Sequence, residues 1–177
     1  MRAVRTLAVA GALGAIEVGL AVTGLGSVPL PTGLTVTVLA VPSILAGLLA
    51  GPLAGAAVGG VLGVTSLALA TTPLFGDPLV AIVPRVLVGP IAALVYRACR
   101  PVSEVFALAV AGAAGAAAST ALILVAAIVL PGPLGAAYLA PRAGWDVARS
   151  TIPSEAVVAA LITVVVGLAA RMVAARR

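Results

Sequence analysis

The chain has 177 residues, 63% of them hydrophobic and 8% charged, with a mean hydropathy of +1.30; an average soluble domain carries roughly 25% charged residues, so water is excluded as the main solvent. The net charge of +5 rests on ten arginines without lysine or histidine. Because most of them sit at the ends of apolar runs, they read as topology signals and not as a nucleic-acid footprint.

The first apolar run extends from about residue 4 to 25, behind Arg2 and Arg5. Alone it would pass for a signal peptide, but the apolar runs that follow argue against cleavage. A proline-rich break from Ser27 to Gly33 leads to a second run over about 34–50, where Pro42 is expected to kink or break the helix. Gly51-Pro52 marks a turn into the third run, about 52–71. The loop from Thr71 to Pro78 holds Asp77, read as a solvated loop residue, and a fourth run follows over about 79–96, closed by Arg97 and Arg100.

The fifth run, about 105–130, stops at Pro131-Gly132-Pro133. The stretch from Leu134 to Arg149, with Tyr138, Arg142, Trp145 and Asp146, has the composition of a membrane interface. A sixth run, about 152–173, ends among Arg171, Arg176 and Arg177. Six spans of about 20 residues use nearly the whole length, which makes residues 1–177 one transmembrane domain: an all-α, six-transmembrane-helix bundle. With both termini cytoplasmic, Arg2, Arg5, Arg97, Arg100, Arg171, Arg176 and Arg177 fall inside and Arg142 and Arg149 outside, as the positive-inside rule favours.

Lipid tails give apolar helices no hydrophobic reason to associate, so close packing relies on small residues. Gly51, Gly55, Gly59 and Gly63 form a ridge at a spacing of four, and the first run carries Ala8 and Ala12 beside Gly11, Ala15 and Gly19. Such ridges serve internal packing or a partner. At 100° per residue, Glu17 lies on the far side of the first helix from Ala8.

Three ionisable residues fall within spans: Glu17, Arg85 and Glu155. Each costs about 2.5–3.5 kcal/mol at mid-bilayer and is expected to face a cavity or another charge. At about 1.5 Å per residue they lie roughly 14, 10 and 6 Å from the outer helix ends. This convergence in the outer half points to a polar pocket, to which Thr35, Thr37, Ser119 and Thr120 would add hydroxyls. Arginine suits a solute carboxylate or phosphate. The competing readings are a structural ion pair of Arg85 with Glu17 or Glu155, and hydroxyls bonded to their own helix backbones.

Catalysis is poorly supplied. The chain has no histidine, nucleophile elbow, phosphate loop or acidic cluster with metal spacing, so no enzyme, catalytic residue or metal site is expected. The one cysteine, Cys99, excludes an internal disulfide and reads as a small apolar helix residue.

Four segments taken together resemble the substrate-binding S component of energy-coupling factor (ECF) vitamin transporters. They are Thr35–Gly47 (TVTVLAVPSILAG), Gly51–Leu67 (GPLAGAAVGGVLGVTSL), Val83–Gly89 (VPRVLVG) and Glu155–Thr163 (EAVVAALIT). The resemblance implies a multi-pass plasma-membrane subunit that binds a small water-soluble vitamin near the outer face and has no ATP site of its own. It also implies partners: a transmembrane coupling subunit and paired cytoplasmic ATPases, with membrane lipid around them and no nucleic acid. Ala8 and Ala12 stand where the family's coupling motif would fall. Where relatives often carry a histidine before the helix-two proline and an asparagine in helix five, this chain has Ala40 with Val41 and Ser119 with Thr120, which leaves the pocket chemistry open among a carboxylated vitamin, a flavin, a folate and a purine-like precursor. The alternative function is a membrane scaffold of the rod-shape-determining type, which predicts no pocket.

Overall fold

The computed structural model describes residues 2–29, 35–70, 72–130 and 137–175. Thr71, the Pro131–Pro133 break and the Arg176-Arg177 end lie outside the described residues, as do the side chains of Arg2, Arg5 and Thr35. Along the chain come α1 (Arg2–Thr23), β1 (Ser27–Pro29), β2 (Thr35–Thr37), α2 (Val41–Ala50), α3 (Pro52–Ala68), α4 (Pro78–Cys99), α5 (Glu104–Val129) and α6 (Pro141–Ala175). Four helices, α1, α4, α5 and α6, are long and apolar enough to cross a membrane; α2 and α3 are apolar but shorter.

Two boundaries differ from expectation, each for a local reason. Residues Thr35–Thr37 do not begin the second helix but pair antiparallel with Ser27–Pro29, Ser27 opposite Thr37. The helix starts only at Val41, which places Pro42 in its first turn, where a missing N–H breaks no helical bond. Pro42 therefore begins a helix instead of kinking one. At the other end of the chain, the interfacial stretch from Pro141 onward and the sixth apolar run are one helix of 35 residues, with Pro153 inside it. At about 1.5 Å per residue α6 is roughly 52 Å long, well beyond the ~30 Å of a hydrocarbon core. Its first turns carry the exposed Arg142 and Trp145.

Large apolar side chains point outward, Leu7, Leu53, Val129 and Val165 among them, while many buried positions hold alanine: Ala46, Ala81, Ala92, Ala107 and Ala111 are fully enclosed. That is the arrangement of a bundle whose outside is lipid and whose helices attract one another by close packing. At its centre is α2, buried from Val41 to Gly47 and in contact with the other five helices.

The glycine ridge is spent on internal packing. Gly51, at φ +101°, turns α2 into α3 with Pro52 at the first helical position. A Cβ on Gly55 would stand 2.7 Å from Cα of Gly89, and one on Gly63 would stand 2.8 Å from Cα of Ile82. A Cβ on Gly59 would run into the carbonyl oxygen of Arg85. The ridge thus brings the backbones of α3 and α4 together and sets the depth of Arg85. A Cβ on Gly11 or Gly19 of α1 would meet nothing within 4 Å among the described residues, and Ala8 and Ala12 are exposed.

Candidate functional site

A cavity of about 450 Å³ opens at one end of the bundle. Five helices line it, with the residue that precedes the remaining one: Ala21 from α1, Ala40 just ahead of α2, Leu62 and Ser66 from α3, Arg85 from α4, Ser119, Thr120, Ile123 and Leu124 from α5, and Val147 and Glu155 from α6. Ser27 of β1, Thr37 of β2 and the connection carrying Leu74 and Phe75 complete the wall. The last turn of α1 and the first turns of α6 lie here, so α1 begins and α6 ends away from the cavity. Far from it, Arg171 of α6 pairs with Glu104 at the start of α5 and donates to the hydroxyl of Tyr96 near the end of α4.

Arg85 is placed by the start of α4. Asp77 caps that helix, its Oδ1 accepting from Leu79 N–H at 2.9 Å. Its Oδ2 accepts from the Tyr138 hydroxyl at 3.3 Å. Asp77 therefore terminates a helix and ties two connections together, where the sequence reading has only a solvated loop residue. Two turns further on, Arg85 is 8% exposed. It donates through Nη1 to the Ala81 carbonyl at 2.6 Å and stands 5.1 Å from the centroid of the Phe75 ring. Among the described residues it makes no ion-pair contact with Glu17 or Glu155.

Glu155 is treated differently. Its Oε1 accepts both the Thr37 N–H, at 3.2 Å, and the Thr37 hydroxyl, at 2.5 Å, and its Oε2 accepts the Thr120 hydroxyl. Three donors from β2 and α5 converge on one carboxylate of α6, which compensates part of its burial cost. Glu17 does not line the cavity. It is fully buried, accepts the Ser43 hydroxyl of α2 at 2.5 Å, and its Oε2 has no hydrogen-bond partner among the described residues. The three charges within the apolar runs are therefore divided, with Arg85 and Glu155 on the cavity and Glu17 sealed behind it.

Of the predicted hydroxyls, Thr120 and Ser119 reach the cavity, and Thr37 does so from the strand; the Thr35 side chain is not described. Sequence reasoning missed Phe75 and Ser66. For Phe75 a signal existed, since it is one of two phenylalanines in the chain and stands in a polar connection outside any apolar run. A second crevice of about 290 Å³, between α4 and α5, is lined by Leu79, Val83, Leu87 and Val125 among other apolar residues. Its described lining offers no polar side chain to hold a polar solute.

Over residues 5–170 the sequence matches the family described as ECF transporter, substrate-specific component. The chain belongs to that family. No curated protein matches the chain. An S component is a membrane-embedded substrate-binding subunit and not an enzyme; membership implies association with a transmembrane coupling component and ATPases. The scaffold alternative has no support, and the cavity is a feature it did not predict.

Proposed function

We propose that this S component captures a small water-soluble vitamin or related micronutrient from the outer face of the plasma membrane and hands it to an ATP-driven ECF module for uptake. The observation that carries the reading is the cavity: a guanidinium, a carboxylate and several hydroxyls gathered from helices and strands far apart in the chain, in an otherwise apolar bundle. A buried charge in a membrane is costly and is kept for function by default. A pocket of this volume, mostly apolar with a few convergent polar groups, has the character of a small-molecule site.

In this proposal six helices traverse the membrane with both termini cytoplasmic, α2 completing its crossing with the strand pair, and the cavity faces outward. The arginines at the opposite end favour that sense. Arg85, Glu155, Thr120, Ser119 and Thr35 serve the solute pocket, while Glu17 supports it from behind through Ser43. Ala8 and Ala12, exposed on the face of α1 turned away from Glu17, meet the coupling component, and the partner ATPases hydrolyse ATP.

Reconstitution with the coupling component and ATPases in proteoliposomes tests the reading. ATP-dependent uptake of a vitamin is expected, and Arg85→Ala should abolish it; wild-type uptake by a correctly inserted Arg85→Ala protein would remove the pocket from the mechanism. Ala8→Trp with Ala12→Trp should block uptake and leave solute binding intact. Unimpaired transport by that double variant would refute the docking face.

A further inference from the structure

We infer that the cavity selects an organic anion, whose carboxylate or phosphate pairs with Arg85 while the rest of the molecule lies against the apolar wall. The inference rests on the solute-binding reading above and deepens it. Its basis is how unequally the two cavity charges are already satisfied. A carboxylate offers about four acceptor positions and a guanidinium five N–H donors. Glu155 already accepts from three donors, all supplied by Thr37 and Thr120. Arg85 makes one hydrogen bond, to the Ala81 carbonyl, and has no carboxylate in contact among the described residues.

The remaining binding capacity is therefore on the side of the donors. A solute that presents an acceptor to Arg85 gains charge-assisted bonds in a site where the guanidinium is largely out of water, whereas a cationic solute would have to compete with three neutral donors for Glu155. A fork-shaped donor set also matches the two oxygens of a carboxylate or phosphate. The Phe75 ring fixes the guanidinium on one side, which leaves its edge available. Beyond Arg85, Leu62, Ile123 and Leu124 offer apolar surface. The anion that fits carries its charge at one end of an uncharged body.

The test is native mass spectrometry of the detergent-purified S component, offered matched acidic and neutral compounds in competition. The pairs are nicotinate with nicotinamide, pantothenate with panthenol, biotin with biotinamide, and pyridoxal phosphate with pyridoxal; riboflavin and thiamine are added as further neutral and cationic members. The expected result is retention of an acidic member, with its neutral counterpart weaker by about 10- to 150-fold, the factor that a hydrogen bond to a charged group is worth. Arg85→Gln should erase that difference, and Arg85→Lys should retain part of it. Retention of a neutral or cationic member at least as tightly as any acid, in the wild type itself, would overturn the anion inference and leave the solute-binding function standing. Retention of nothing from the set would count against that function, and the inference would fall with it.

Discussion

Two adjacent glycines of α3 provide an internally controlled test of the helix seam that positions Arg85. A Cβ at Gly59 would fall well inside 3.0 Å of the Arg85 carbonyl, a backbone atom that cannot rotate away, whereas at Gly60 it would meet only a Val86 methyl at 3.7 Å, an ordinary contact. Both substitutions to alanine receive the same gain in helix propensity, about 1 kcal/mol, so the gain cancels in the comparison. What remains is the overpacking cost at Gly59, about 1–3 kcal/mol. Gly59→Ala is therefore expected to be less stable than Gly60→Ala by that amount. Because relief of the clash must move the α4 backbone at Arg85, it should also weaken solute binding. Thermal unfolding in the same detergent, together with solute affinity, measures both effects. Equal stability and equal affinity for the two variants would refute the claim that the ridge sets the depth of Arg85.

Two further perturbations address the buried polar groups. Ser43→Ala removes the hydroxyl that Glu17 accepts and should cost about 1.5–3 kcal/mol, since a fully buried carboxyl is left without it. Replacing both partners, Glu17→Leu with Ser43→Ala, should recover most of that loss; a double variant less stable than Ser43→Ala would refute this account. Asp77→Ala should lower stability by about 1 kcal/mol through the lost cap of α4. Asp77→Asn should come close to wild type, because asparagine caps as well, and an equal loss in both variants, measured by thermal unfolding, would show that the cap contributes nothing.

The membrane character and the approximate extents of α1, α4 and α5 follow from the sequence alone. Hydropathy is additive along the chain, and a span must carry about 20 apolar residues whatever its neighbours are. The family resemblance was equally local, resting on short segments such as Val83–Gly89.

What a residue meets across the bundle is another matter, since helical rotation and partner choice depend on all the helices at once. Glu17 and Arg85 lie at similar expected depths, yet only the packing of α1 onto α2 and α3 turns Glu17 toward Ser43 and away from the cavity. The glycine ridge read equally well as an internal or an external face until α4 was found against it. The sequence itself determined that this chain lives in lipid and carries three ionisable residues within its apolar runs. The tertiary structure alone decided that Glu155 is satisfied by Thr37 and Thr120 while Arg85 is left with donors to spare, because hydrogen bonds between elements far apart in the chain depend on how six helices pack together.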